Sequence, residues 1–107
     1  MVKVINDASF KAEVLQELSM PVLVDFWAPW CGPCRMVSPV VEQMEKEFSG
    51  KLKACKINTD ENSQSAVEYN ITGIPCLIIF KNGKEATRLV GYRPADMMKK
   101  DIEKILG

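Results

Sequence analysis

Two cysteines stand two residues apart in the run Trp27-Ala28-Pro29-Trp30-Cys31-Gly32-Pro33-Cys34-Arg35. Thiols at that spacing can hold a metal, staple a loop, or cycle between dithiol and disulfide. The sequence has no histidine, which removes a Cys–His catalytic pair, a Ser-His-Asp triad and any histidine metal ligand. Structural zinc wants four ligands, usually as two close pairs, and the other two cysteines, Cys55 and Cys76, are isolated in sequence. Haem attachment needs histidine directly after the second cysteine, where Arg35 stands. No metal and no cofactor is therefore expected. Redox exchange is the leading chemistry, with a metal-binding domain and a scaffold with incidental thiols as the competing readings.

Disulfide exchange is carried out by the thiolate. A free cysteine has a pKa of about 8.5, so little of it is ionised near neutral pH. Cys31 falls where an apolar run ends and a long helical pattern begins. The unpaired amides and the dipole of a helix start favour negative charge there. Cys34, one turn further on, lies within ring-closing reach and is expected to be the more buried of the two. Their roles then divide. Cys31 attacks a partner's disulfide, and Cys34 attacks the mixed disulfide to free the partner. Gly32 leaves room for a partner chain, and Pro33 suits a helix's first turn. An uncharged Gly-Pro between the thiols predicts a reductant, because a cation there would stabilise the reduced form.

The elements that must hold these thiols can be read from apolar periodicity. Val2 to Ile5 predicts an edge strand, followed by a helix capped by Asp7, with Phe10, Val14, Leu15 and Leu18 on one face. Val22 to Ala28 is apolar at nearly every position, as in a strand buried on both faces. Met36, Val37, Val40, Val41, Met44 and Phe48 recur at helical spacing; Pro39 interrupts that helix and Gly50 ends it. Leu52 to Asn58 predicts a strand and Ser63 to Tyr69 a short helix. Cys76 to Phe80 and Glu85 to Val90 flank Asn82-Gly83, a strong hairpin signal. Met97, Met98, Ile102, Ile105 and Leu106 suit a last amphipathic helix. The order βαβαβαββα predicts an α/β fold with a parallel portion and an antiparallel hairpin at one edge.

The chain has 107 residues, enough for a single domain over 1–107 with its own core, and 47% are hydrophobic. No repeat, linker or low-complexity segment is visible. Lys plus Arg equals Asp plus Glu at 14 each, so neither a nucleic-acid nor an anionic-membrane partner is expected. No apolar stretch approaches the roughly 20 residues of a membrane span. The run Met1 to Phe10 lacks the layout of a signal peptide, which points to the cytoplasm, where permanent disulfides are rare.

Asp25 is the odd residue of its apolar run. It reads either as a carboxylate tied to a local donor or as a buried acid-base group whose pKa is raised by desolvation, placed to take the proton of Cys34. Lys56, in the next strand, is its candidate charge partner. Trp27 reads as core, and Trp30, beside Cys31, as a contact surface for partners. X-Pro bonds are trans in the great majority of cases, so Ile74-Pro75 alone reads as trans.

Taken together, Trp-Cys-Gly-Pro-Cys, Asp25 in the buried run, Pro39, Gly73-Ile74-Pro75 before a strand, the Lys-Asn-Gly hairpin and Gly91 resemble the thioredoxin family over essentially the whole chain. The resemblance implies a five-stranded mixed sheet of order 1-3-2-4-5 flanked by four helices. It also implies a protein-disulfide reductase that acts as an electron carrier in cell redox homeostasis. Cys31 would be the nucleophile and Cys34 the resolving thiol, joined in the oxidised form as a redox-active disulfide, with Asp25 as the buried acid and Lys56 nearby. Pro75 would be cis and opposite the thiols. Ile74 would offer its backbone to an extended partner segment. Trp30, Gly32, Pro33, Gly73, Val90 and Gly91 would complete the docking patch. The implied partners are disulfide-containing proteins and a thioredoxin reductase, met by a monomer. One departure stands out: Cys76 occupies the position after the proline where the family usually has threonine. It reads as a small core residue, or as a third thiol near the redox pair.

Overall fold

The computed structural model describes all residues, Met1 to Gly107. Five strands form one sheet: β1 (Lys3–Val4), β2 (Val22–Trp27), β3 (Lys53–Asn58), β4 (Cys76–Lys81) and β5 (Lys84–Val90). A π-helical segment (Lys11–Leu15) and three α-helices, α1 (Gly32–Glu47), α2 (Ser63–Glu68) and α3 (Ala95–Leu106), complete it. The strand order is β1-β3-β2-β4-β5, as the resemblance implies. β3 runs parallel to β1 and β2, whereas β4 is antiparallel to β2 and β5.

Strand alternation sorts the core into two layers, because successive side chains point to opposite faces. Leu23, Ala54, Leu77 and Ile79 pack with Val37, Val41 and Met44 of α1 and Met98 and Ile102 of α3. Val22, Val24, Phe26, Cys55, Ile57, Cys76, Ile78 and Phe80 pack on the other face with Phe10 and Val14. There Phe10, Phe26, Tyr69 and Phe80 form an aromatic cluster with centroids 5.2–6.4 Å apart. Asp25 and Lys56 fall in the alternation of Leu23 and Ala54, so they share the face covered by α1. They are also direct neighbours in the β2–β3 register.

Several boundaries differ from expectation. The first helix is a five-residue π-helix started by Phe10 rather than Asp7. It ends before Leu18, which is 65% exposed, so Leu18 does not join Phe10 and Val14 inside. Asp7 instead accepts the amides of Ser65 (2.8 Å) and Gln64 (3.3 Å), capping α2 from another part of the chain. β2 ends at Trp27, with Ala28 buried just beyond it. The turn residues Asn82 and Gly83 have φ of 54° and 76°, the positive pair that a two-residue hairpin turn requires. α1 continues through Pro39 to Glu47.

Candidate active site

Cys31 is the N-cap of α1, in extended conformation, with Gly32 and Pro33 opening the helix. Its Sγ accepts the backbone N–H of Cys34 at 3.2 Å. The sulfur thus takes the place of the oxygen that usually caps a helix, and the N–H it accepts favours negative charge on it. Cys31 and Cys34 form a disulfide with their Cα atoms 5.3 Å apart. They are equally buried, 4% and 3% exposed, so the expected difference in burial is not what distinguishes them. Position does: Cys31 caps the helix, whereas Cys34 lines a partly open cavity. Gly32 and Pro33 are exposed beside them.

That cavity, about 110 Å³, is lined by Asp25, Trp27, Cys34, Arg35, Ser38 and Lys56. It is several times what one water molecule requires, on the order of 15 Å³. Asp25 is 3% exposed, and its Oδ1 is buried without a hydrogen-bond partner. Desolvation pushes its pKa up to about 7, against the opposing pull of Lys56. The local-donor reading of Asp25 therefore fails, and the carboxyl is poised to gain or lose a proton near neutrality. The Lys56 ammonium also lies 5.9 Å from the Trp27 ring centroid. Trp27 is half-buried against Ala28, Cys31 and Cys34, between core and site.

Opposite the helix, Ile74 packs on the same cysteine cluster, and the Ile74–Pro75 bond is cis. The trans reading is thus corrected in favour of the family's pattern. Gly91 N–H donates to Pro75 O at 2.8 Å, and a Cβ on Gly73 would lie 3.1 Å from Val90 Cγ1. The structure thereby brings Gly73, Ile74, Pro75, Val90 and Gly91 together. Trp30 is 69% exposed and Val90 64%. Cys76, by contrast, is 1% exposed and lies in the aromatic-side core, on the sheet face away from Asp25.

Three contributors escaped the sequence reading. Asp60 accepts the Trp30 indole N–H at 3.1 Å, a partner 30 residues away that no local pattern shows. Arg35 donates to Pro29 O at 2.8 Å, tying the first helical turn to the loop before Cys31. Ser38 was readable in principle, since it follows Cys34 by one helical turn and shares its face. No group of three or more Cys, Asp or Glu side chains could hold a metal ion, and no helix is long and apolar enough to cross a membrane.

The comparisons agree with this geometry. The family model described as Thioredoxin matches residues 1–104. The chain is 51% identical to a thioredoxin of Synechocystis sp. over 95% of this chain and 94% of that one. Thioredoxin 1 of Nostoc sp. gives the same identity and coverage. Thioredoxin M4, chloroplastic, of Arabidopsis thaliana is 47% identical over 95% of this chain and 52% of its own length. With a disulfide-bonded cysteine pair at the start of a helix, a buried acid beside it and a family model covering nearly every residue, the chain belongs to the thioredoxin family.

Proposed function

We propose that this chain reduces protein disulfides through a reversible Cys31–Cys34 dithiol/disulfide, serving as an electron carrier in redox homeostasis. Cys31 thiolate attacks one sulfur of a partner's disulfide; an intermolecular S–S bond forms and the partner's other sulfur leaves with the electron pair. Asp25 carboxylate then takes the proton of Cys34. The Cys34 thiolate attacks Cys31 Sγ, the intermolecular bond breaks, and the partner departs with both sulfurs reduced. Two electrons have passed from this chain to the partner. Trp30, Gly32, Pro33, Gly73, Ile74, Pro75, Val90 and Gly91 form the docking patch, and Lys56 tunes Asp25.

The observation that carries this reading is Cys34 bridging two settings: bonded to the helix-capping Cys31, and sharing a cavity with the unpartnered carboxyl of Asp25. Partners in this reading are disulfide-containing proteins, with a thioredoxin reductase returning electrons to the oxidised form. The chain works as one domain and a monomer, without nucleic acid or membrane. A reducing compartment, the cytoplasm in our reading, suits the unpaired buried thiols Cys55 and Cys76.

The test is stoichiometric reduction of insulin by the pre-reduced protein. Cys31→Ser is expected to abolish it, and Cys34→Ser to halt at a trapped mixed disulfide. Reduction that survives Cys31→Ser overturns the assignment of the nucleophile.

A further inference from the structure

Opposite the thiols, two stretches of chain meet: Gly73-Ile74-Pro75, and Val90-Gly91 at the end of β5. They touch at two points. Gly91 N–H donates to Pro75 O at 2.8 Å, and Val90 Cγ1 lies 3.1 Å from where a Cβ on Gly73 would stand. Beyond Val90 the chain crosses to α3, which starts at Ala95, through Gly91-Tyr92-Arg93-Pro94. That crossing is thinly held. Pro94, the N-cap of α3, makes no side-chain cap bond and has no N–H to donate. Arg93 supplies the tether. Its Nε and Nη2 donate to Asp101 Oδ2 and Oδ1 at 2.5 and 3.0 Å, the only side-chain hydrogen bonds made by these four residues. The Asp101 side chain is only 14% exposed. A forked pair of this kind fixes direction as well as distance. Asp101 stands on a firm base, because Met98 and Ile102 of the same helix are fully buried in the core layer shared with α1. The other forked pair, Arg88 with Glu85, joins two residues of β5 itself.

We propose that Arg93 and Asp101 are positioning residues for partner docking: their fork fastens the crossing loop to α3 and so holds Val90 and Gly91 against Gly73 and Pro75. Arg93 is two residues from Gly91, at most about 7 Å of chain, so an anchored Arg93 limits where Gly91 can sit. A partner segment laid along the patch then meets a surface already in place, and less ordering has to be done on binding. The fork acts through the loop and not on the sulfurs. It therefore favours exchange with protein disulfides, which need the patch, and leaves the intrinsic reactivity of Cys31 alone. This deepens the reading of Val90 and Gly91 as docking residues and rests on it.

The pre-reduced full-length protein is reacted with insulin and, separately, with 5,5′-dithiobis(2-nitrobenzoate), a small disulfide that has no peptide backbone to dock. Exchange of the Gly91 amide hydrogen is followed by NMR in the same variants. Arg93→Ala and Asp101→Ala break the fork from its two ends, so the result does not hang on one variant folding. Each is expected to slow insulin reduction about 5-fold, the scale of a well-formed ion pair, and to leave the small disulfide at the wild-type rate. Gly91 exchange should quicken about 5-fold, as its bond to Pro75 opens more often. The double variant should be no slower than either single one, because both remove one interaction. Unchanged Gly91 exchange, unchanged insulin reduction, equal slowing of both disulfides, or additive losses in the double variant would each overturn the positioning role. Val90→Asp separates this from the docking reading. Slow insulin reduction there, with the fork variants at the wild-type rate, removes the fork's role and leaves the patch standing. Wild-type insulin reduction in Val90→Asp removes Val90 from the patch and the proposal with it.

Discussion

At the scale of single residues, the four cysteines show how environment separates reactivity. Cys31 sits on a helix N-terminus with a backbone amide directed at its sulfur, whereas Cys55 and Cys76 lie among Phe26, Ile57 and Ile78. Burial pushes the Cys55 thiol up to about 11 and raises that of Cys76. The thiolate is the reactive species, so both should be inert in the folded protein. Cys76 adjoins the cis-proline in sequence, yet strand alternation turns its side chain to the face away from the redox pair. The core reading of Cys76 thus fits the structure better than the third-thiol reading. We expect iodoacetamide at pH 8 to label neither cysteine in the folded oxidised protein, and to label two per chain after denaturation. Peptide mapping should find only the Cys31–Cys34 bridge. A native adduct on Cys76, or a disulfide that includes it, would restore the third-thiol reading.

At the scale of elements, placement depends on contacts that cross the sequence. Asp7 accepts from the amides of Gln64 and Ser65, while its own N–H donates to Asn62 Oδ1 at 2.8 Å. Asn62 makes no side-chain cap bond to α2, and Asp7 caps the helix in its place. Asp7→Ala should cost about 1 kcal/mol, the usual value of a lost N-cap, read as a lower urea midpoint with unchanged slope. The hairpin turn is tied to the π-helix more tightly: a Cβ on Gly83 would lie 2.6 Å from Leu15 O, at a φ of +76°. Gly83→Ala combines left-handed strain of about 1 kcal/mol with a backbone clash, so it should cost roughly 2–4 kcal/mol in the same assay. An unchanged midpoint would mean the turn and the π-helix can part freely. These two contacts mark what the sequence could and could not disclose. Strands β2 to β5, α1, α3 and the hairpin turn follow from local periodicity and turn chemistry, and the dithiol's place at the strand-to-helix junction follows with them. Asp7 reads locally as the cap of the next helix because its real partners lie more than 50 residues away. Leu18 reads as core because α-helical spacing was extended through a segment that winds as a π-helix and then stops. The Trp30–Asp60 bond and the Ser38 wall of the cavity exist only once α1 lies across the sheet.

At the scale of the whole molecule, the buried carboxyl links the chemistry to global stability. Asp25 has an ordinary pKa of 3.8 when unfolded and about 7 when folded. Between those values the native state keeps a proton that the unfolded state has lost. Stability must therefore fall as pH rises from about 4 to about 7, and the loss is complete above that window. A difference of about 3 units, at about 1.4 kcal/mol each, sets the full loss near 4 kcal/mol. The fold tolerates this because most of its burial is apolar; the only buried polar or charged side chains are Asp25 and Ser65. Asp25→Asn removes the charge and keeps the shape, so the variant should gain stability at pH 8 and little or none at pH 3.5. The gain should be a few kcal/mol, reduced by whatever the amide loses in an unpartnered site. Urea unfolding of the oxidised parent and variant at pH 3.5, 5.5 and 8 measures the difference directly. In the proposed mechanism the same substitution removes the base for Cys34, so on that reading the position trades stability for turnover. An increment of equal size at all three pH values would place its origin in packing, and the ionisation of Asp25 would no longer account for either effect.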